Sequence, residues 1–297
     1  MSPLLPDDST PDPTRDPPDA PADLPPAPPA RRIPNLGHAL IFVGFTHFLL
    51  LVYQVIFLML GKTPVSTHAG TLIVEHPKTQ ILMEAATYIA TLTMAWLFFP
   101  LVWHRSFLDG IQWRWAAARS QAGRLIGLGI LLGALMQLVL NFVTPPKSLP
   151  INDFFLTPLD AWLLTFFGIT AAPLFEEICF RGFLVPAFAI AYDWLSLPRT
   201  DEARIRWQTT ADLSPDSLLF SAILTSVLFA AIHAPQVAHL WAPLLGLFSI
   251  SLILTFVRVK TGSVAASTLV HAAYNSFVFL MTILATGGYR HLDRLTK

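Results

Sequence analysis

The residues of this chain whose types and spacing could do chemistry are Glu176, Glu177 and Arg181, which lie inside an apolar run. Even the lenient insertion scales put the cost of one charged residue at the centre of a membrane helix at roughly 2.5–3.5 kcal/mol. Two acids and one base within six residues are therefore expected to pair, to face a wet cavity and to have a function.

Helical spacing separates the roles of the two acids. Residues at i and i+4 share a helix face, so Glu177 and Arg181 are expected to form an ion pair. Glu176 is turned about 100° away from Glu177 and stays available. Glu176 is therefore the better candidate for a general base. The alternative interpretation of the whole motif is a structural ion pair that holds the bundle together.

Two later segments carry the partners that a hydrolytic site needs. His233 ends an apolar stretch, with Phe229 one helical turn before it, while His271 and Asn275 share a face of the last apolar stretch. Alone, His233 could be an interfacial residue, and the His271–Asn275 pair could be a hydrogen bond between helices. Together with Glu176 they supply a base, proton handling and oxyanion donors, which hydrolysis of an amide requires.

The sequence lacks the motifs of other classes of protease. The chain has no His-Glu-x-x-His motif of zincins, no Gly-x-Ser-Gly of the rhomboid kind and no Gly-x-Gly-Asp of the presenilin kind. The single cysteine, Cys179, excludes an intrachain disulfide and a cysteine-based structural zinc site. We interpret Cys179 as a small apolar filler, because a nucleophilic thiolate needs an electropositive, accessible setting.

The composition is that of a membrane protein. The chain has 297 residues, 54% of them hydrophobic and 13% charged, and a mean hydropathy of +0.56. Soluble domains have about 25% charged residues. A charged fraction of half that value, together with long apolar runs, indicates a polytopic membrane protein. The net charge is zero, which suggests no nucleic-acid partner.

Seven apolar stretches are long enough, or nearly so, to cross about 30 Å of hydrocarbon. The fourth is too long for one straight span and contains Pro173, so it could be two helices, one kinked helix, or a re-entrant piece followed by a helix. The prediction is an all-α, polytopic helical bundle with seven or eight transmembrane segments. The stretches are Gly37–Leu60, Thr79–Val102, Arg124–Val143, Pro158–Ala191, Asp216–His233, Leu240–Val257 and Ser263–Ala285.

Lysine and arginine in the short loops suggest an orientation. With the fourth stretch as one crossing, the basic loops fall on the side of Arg31 and Arg32, which is then cytoplasmic. The C-terminal tail, with Arg290 and Arg294, falls outside and conflicts with the rule. In this topology His233 lies near the outer end of its span and His271 nearer the inner end of its own, so tilted helices must bring the two together. No internal repeat suggests an inverted-repeat transporter.

The three motifs resemble those of one family, the CAAX protease and bacteriocin-processing (CPBP or abortive-infection) family. Residues 176–181 match its EExxxR motif, residues 229–233 its FxxxH motif and residues 271–275 its HxxxN motif, in family order. The similarity covers roughly residues 149–285. The family includes the type II prenyl protease that removes the last three residues of prenylated CAAX proteins.

The resemblance implies an intramembrane, glutamate-dependent endopeptidase with a helical bundle fold. It assigns water activation to Glu176, assistance to His233 and oxyanion binding to His271 with Asn275. Glu177 and Arg181 would order the site, and Phe229 would support it. No cofactor is expected, although the family has also been described as metal-dependent, with Glu176, His233 and His271 as the conceivable zinc ligands.

Four regions follow from these patterns. Residues 1–34 hold twelve of the 25 prolines and are expected to form a disordered tail. Residues 35–148 are the N-terminal transmembrane helices, 149–286 the protease domain with a polar insert at about 193–216, and 287–297 the C-terminal tail. The insert departs from the family pattern and could be a lid or a partner surface.

The expected partners are a lipid-anchored or transmembrane peptide substrate and the membrane lipid itself. The expected location is the bacterial plasma (inner) membrane, as a multi-pass protein. Because a bacterial host would usually lack protein prenylation, a CAAX substrate does not follow. The alternative function is that of a non-catalytic membrane immunity or binding protein that retains the protease fold. A transporter with the Glu–Arg pair as a proton relay is disfavoured by the lack of repeats.

Overall fold

The computed structural model describes residues 32–59, 65–68, 71–74, 77–142 and 150–295. Seven helical segments among them are long and apolar enough to cross a membrane, and they confirm the all-α polytopic bundle. Their bounds lie within a few residues of the predicted stretches. Of the predicted disordered tail, residues 1–31 lie outside the described part of the chain. The spans are Leu36–Met59, Pro77–Trp103, Ala122–Leu140, Pro158–Leu195, Pro215–Val237, Trp241–Thr261 and Val264–Ala285.

Helices account for nearly all the described secondary structure. The α-helices are α1 (Leu36–Met59), α2 (Pro77–Trp103), α3 (Phe107–Gly110), α4 (Trp115–Ser120), α5 (Ala122–Leu140), α6 (Pro158–Ile169), α7 (Ala171–Glu177), α8 (Val185–Leu195), α9 (Asp201–Thr209), α10 (Pro215–His233), α11 (Trp241–Thr261) and α12 (Val264–Ala285). A π-helix, Ile178–Leu184, joins α7 to α8. Short 3₁₀ turns occupy Pro150–Phe155, Ala234–Val237 and Leu292–Leu295.

One small β-hairpin interrupts the helical fold. Strands β1 (Val65–His68) and β2 (Thr71–Val74) pair antiparallel between α1 and α2, with Val65 opposite Val74. The sequence interpretation did not include this hairpin, since four-residue strands carry too few positions for an alternating pattern to stand out.

The fourth span is a broken helix. Helix α6 ends at Ile169, and Thr170 departs from helical geometry before α7 begins. Pro173 explains the break, because its ring clashes with the carbonyl four residues earlier and removes one helical hydrogen bond. Beyond Glu177 the chain continues through the π-helix into α8, so this span changes direction next to the motif that carries the acids.

Contacts along the fourth span make it one crossing. Near its start, Thr165 lies 2.6 Å from the Tyr289 hydroxyl, which follows the end of α12. Near its end, the Ser221 hydroxyl donates to the Val185 carbonyl at 2.6 Å, close to the start of α10. The span therefore runs from the end of the bundle where α12 finishes to the end where α10 begins. The two described chain ends lie at opposite ends of the bundle.

Most arginines gather at the end of the bundle where α1, α5, α10 and α12 begin, which we call the arginine-rich end. It holds Arg32, the loop between α2 and α5, the segment before α10 and the end of α11. Arg290 and Arg294 lie at the opposite end, as in the single-crossing topology. The cytoplasmic orientation of the arginine-rich end stays a prediction from the charge rule.

Helices α5 and α12 pack so closely that glycine is required between them. A Cβ on Gly129 would lie 2.4 Å from the Val270 carbonyl oxygen, and one on Gly133 would lie 2.7 Å from the Phe277 ring. Gly129 faces Val270 and Gly133 faces Phe277, so the residue numbers rise in the same direction along both helices, which therefore run parallel. This contact fixes the position of the span that carries His271, as small-residue interfaces do in membranes.

The polar insert packs at the arginine-rich end. Asp193 accepts hydrogen bonds from the Ser214 amide and hydroxyl and from the Ser217 hydroxyl, which fixes the start of α10. Arg32 lies over the Trp207 ring, 3.5 Å from its centroid. Asp193 is 17 residues beyond Glu176, or about 25 Å along a helix. The insert is thus placed away from the acids and does not cover them.

Candidate active site

Arg181 and Glu177 form a fully buried ion pair. Arg181 Nη1 lies 2.9 Å from Glu177 Oε1, and both side chains have 0% exposure. The Nη2 group donates to the carbonyl and hydroxyl oxygens of Ser251 on α11, at 2.8 and 2.7 Å. The prediction that Arg181 contacts one of the two acids rather than lipid is confirmed. Ser251 was not anticipated, because nothing local marks it as the partner of an arginine 70 positions away.

Glu177 also binds His271. Its Oε1 atom lies 3.0 Å from His271 Nδ1, across 94 positions of sequence. An ionised carboxylate can only accept, so Nδ1 carries the hydrogen and donates it. This contact leaves the Nε2 atom of His271 on the opposite side of the ring. Glu177 therefore sets the orientation of a histidine as well as neutralising Arg181.

His233 is oriented in the same way by its own helix. Its Nδ1 atom lies 2.7 Å from the Phe229 carbonyl oxygen, one turn earlier in α10. A carbonyl oxygen accepts, so Nδ1 donates and Nε2 is left free to face outward from the helix. The ring reaches this carbonyl because Phe229 lies four residues earlier, one turn back on the same face of α10.

The two free imidazole nitrogens converge on Glu176. His233 Nε2 and His271 Nε2 each lie 3.9 Å from Glu176 Oε2. This distance is too long for a direct hydrogen bond, so the two imidazoles flank the carboxylate oxygen without binding it directly. The Glu176 side chain is 15% exposed, in contrast to 0% for Glu177. The division between one paired and one available acid thus agrees with the helical spacing.

Aromatic rings surround this group. Phe229 packs at 4.6 Å from His233 and 5.9 Å from His271, measured between ring centroids, and contacts Phe180 edge-on at 5.2 Å. Phe175 stacks on Tyr88 at 3.8 Å. An apolar enclosure of this kind strengthens each electrostatic interaction inside it by lowering the local dielectric constant.

Asn275 differs from the other three predicted site residues because a backbone carbonyl of another helix holds its side chain. It lies one turn beyond His271 on α12, and its Nδ2 atom donates to the Gly168 carbonyl at 2.6 Å. Gly168 lies near the end of α6, where the broken span leaves carbonyls without helical partners. One amide hydrogen is therefore used to fix the side chain, and the other is left for a ligand.

The structure brings His233 and His271 to the same carboxylate. His233 lies 18 residues beyond the start of α10 at Pro215, and His271 lies seven residues beyond the start of α12 at Val264. The Nε2 atoms of both histidines nevertheless lie 3.9 Å from Glu176 Oε2, so the offset in depth expected from the sequence does not separate them.

A further carboxylate lies near this group, and sequence reasoning did not single it out. Glu84 of α2 is hydrogen-bonded to Gln80, and its charge interacts with that of Glu176. The Tyr88 hydroxyl, one turn along the same face, is within electrostatic reach of both carboxylates. The sequence feature that could have identified Glu84 is an acid inside an apolar span, which by itself marks a candidate functional residue.

The predicted zinc ligands have the right chemistry but loose spacing. Around a tetrahedral zinc with bonds of about 2.0–2.1 Å, ligand atoms lie about 3.3 Å apart, whereas each imidazole nitrogen here is 3.9 Å from the glutamate oxygen. Within the described ranges, no group of three or more His, Cys, Asp or Glu side chains is arranged to hold a metal ion.

Taken together, the fold and this group define a polytopic membrane protein with an accessible carboxylate between two oriented imidazoles. Residues 158–277 match the family model described as "Type II CAAX prenyl endopeptidase Rce1-like". The match begins at the first residue of α6 and contains all three motifs, so the resemblance to the CAAX protease family is confirmed. No curated protein and no solved structure matches the chain.

The matched family is one of proteases of the CAAX endopeptidase type, and the match covers 120 of the 297 residues of the chain. The seven apolar helices make the chain a multi-pass integral membrane protein.

Proposed function

We propose that this protein is an intramembrane endopeptidase in which Glu176 activates a water molecule to hydrolyse a peptide bond of a membrane-associated substrate. The observation that carries the proposal is the convergence of two imidazole Nε2 atoms on one carboxylate oxygen of Glu176. A structural ion pair or a packing histidine gives no reason for this arrangement.

Water held between the imidazoles and Glu176 would lose a proton to the carboxylate. The resulting hydroxide attacks the substrate carbonyl, and a tetrahedral intermediate with a negatively charged oxygen forms. Glu176 takes a proton from the nucleophile and does not become covalently attached to the substrate. General-base assistance of this kind contributes about 10²–10⁴-fold to a rate.

His271 and Asn275 are assigned to the negatively charged oxygen. When both ring nitrogens of His271 carry a hydrogen, Nε2 donates to this oxygen. Glu177, which accepts from Nδ1, stabilises the positive charge of the imidazolium. The amide hydrogen of Asn275 that does not bind Gly168 is the second donor. Fixed donors aimed at a developing charge are generally the largest single contribution to acyl-transfer catalysis.

His233 is assigned to the proton that must reach the leaving amine. Its Nδ1 hydrogen is held by the Phe229 carbonyl, so only Nε2 can exchange protons with Glu176 and the amine. Replacing His233 with alanine should lower the turnover number by about a hundredfold or more while cleavage stays at the same bond. Cleavage of a single-span membrane peptide by purified protein in proteoliposomes measures this, with His239→Ala, near the same end of α10, as the matched control.

Metal dependence separates this mechanism from the zinc alternative. We expect exhaustive chelation to leave activity unchanged and elemental analysis to find substoichiometric zinc in active protein. Stoichiometric zinc that is lost in His233→Ala and in His271→Ala would instead assign Glu176, His233 and His271 as ligands. In that case the carboxylate would be a ligand rather than the base.

The alternative function, a non-catalytic immunity or binding protein, predicts no cleavage under any of these conditions. The natural substrate and the bacterial inner membrane as the location remain expectations from the sequence.

A further inference from the structure

Arg258, near the end of α11, is a buried cation without a carboxylate partner. Its relative exposure is 8%. Its one hydrogen bond within the described residues runs from Nη2 to Oε1 of Gln112, at 2.8 Å, and its Nε atom has no partner. None of the salt bridges found in the described part of the chain includes Arg258.

The charges around Arg258 do not neutralise it. Arg114 is within electrostatic reach and repels it, and the attracting acid is Glu177. Glu177 is already engaged by Arg181 and His271. A buried charge is costly unless it is paired, so this part of the arginine-rich end has an excess of positive charge.

Arg258 lines a cavity of about 560 Å³ that also contains Arg32 and Arg105. Two acids, Asp109 and Asp212, line the same cavity. Asp109 accepts a hydrogen bond from the Ser106 hydroxyl, and Asp212 lies within electrostatic reach of Arg32. Neither acid forms a salt bridge with Arg258 within the described residues, and the three arginines of the cavity exceed its two acids by one positive charge.

We propose that this cavity binds a phosphate group, which Arg258 holds together with Arg32 and Arg105. Guanidinium groups bind phosphate through paired, charge-assisted hydrogen bonds, and a dianionic or monoanionic phosphate would balance the excess charge. The cavity lies where α11 ends and α10 begins, at the level expected for lipid headgroups. An anionic phospholipid is therefore one source of the phosphate, and inorganic phosphate from solution is the other.

The test measures ligand-induced thermal stabilisation of the full chain, purified and delipidated in a neutral detergent. Cys179 is the only cysteine and is largely buried, so a thiol-reactive dye reports unfolding directly. The probes are dihexanoyl-phosphatidylglycerol, dihexanoyl-phosphatidylcholine and inorganic phosphate, each titrated at constant ionic strength. Because a ligand that binds only the folded state raises the melting temperature, we expect a shift of several degrees with phosphatidylglycerol.

Arg258→Gln should weaken the apparent affinity about tenfold or more, the effect of losing one charge-assisted hydrogen bond. Arg119→Gln, an exposed arginine at the same end, is the matched control and should leave the shift unchanged. If Arg258→Gln fails to fold, Arg114→Gln supplies the second variant. Arg114 is exposed, and removing its positive charge beside Arg258 should weaken binding of the anion, because the charge that repels Arg258 also attracts a bound phosphate.

The three probes distinguish the outcomes. A shift with phosphatidylglycerol that greatly exceeds the shift with inorganic phosphate identifies a lipid headgroup. Equal shifts with both identify free phosphate. Equal shifts with phosphatidylglycerol and phosphatidylcholine that persist in Arg258→Gln would overturn the proposal, because they would reflect general lipid solvation. The absence of any shift would overturn it as well. None of these outcomes depends on proteolytic activity, so the proposed function is tested separately.

Discussion

Glu176→Gln is expected to reduce peptide cleavage at least about a thousandfold while the protein still inserts and folds. Glutamine keeps the volume of the side chain but cannot take a proton from water, and general-base assistance is worth about 10²–10⁴-fold. The melting temperature should hold or rise, because the substitution removes a partly desolvated charge whose nearest basic atoms, the two imidazole nitrogens, are 3.9 Å away. Cleavage rates and melting temperatures of the same preparations provide both measurements.

The control for this substitution is Glu202→Gln, which removes an exposed carboxylate from the polar insert. It should change neither cleavage nor stability. Turnover at the wild-type rate by Glu176→Gln would rule out Glu176 as the base. Loss of folding in this variant, with no soluble monodisperse protein in detergent, would point to the structural ion-pair interpretation instead.

Glu177→Gln should damage both stability and activity. Arg181 would lose its charge partner in a fully buried setting, a change that costs about 3–5 kcal/mol when one member of a buried pair is removed. His271 would lose the negative charge beside its Nδ1 hydrogen, because a glutamine oxygen can accept this hydrogen but stabilises an imidazolium far less than a carboxylate does. We expect cleavage to fall about a hundredfold or more even where the protein is folded.

A double variant separates these two effects. Glu177→Gln with Arg181→Met removes both buried charges, and neutral replacement of a whole ion pair is often tolerated. We expect the melting temperature to recover toward that of the wild type while cleavage stays low, since His271 still lacks its carboxylate partner. Recovery of both properties would show that Glu177 acts only through stability and that its charge beside the histidine does not contribute to cleavage.

The sequence predicted those parts of the site that depend on one helix at a time. The i, i+4 spacing of Glu177 and Arg181 predicted their ion pair, and the position of Glu176 on another face predicted its availability. The apolar lengths placed all seven spans to within a few residues. These predictions succeed because helical geometry and membrane thickness are local rules.

Contacts between helices were harder to predict. The bond from His271 to Glu177 and that from Arg181 to Ser251 join residues 94 and 70 positions apart, and no local pattern selects them. The π-helix that follows Glu177 has no sequence signature of its own, although such elements are frequent at functional sites. The alternative interpretation of Asn275, a hydrogen bond between helices, agrees with its bond to the Gly168 carbonyl of α6, but the sequence did not indicate which carbonyl would accept it.

The measurement that tests the central claim most directly is identification of the products that purified protein releases from a library of single-span membrane peptides. The reaction is run in proteoliposomes in ¹⁸O-labelled water and analysed by mass spectrometry, beside Glu176→Gln. We predict defined cleavage products with one solvent oxygen in each new carboxyl group, formed by the wild type and not by the variant. Identical products from Glu176→Gln, or no cleavage of any library member by folded wild-type protein, would contradict a glutamate-dependent intramembrane protease.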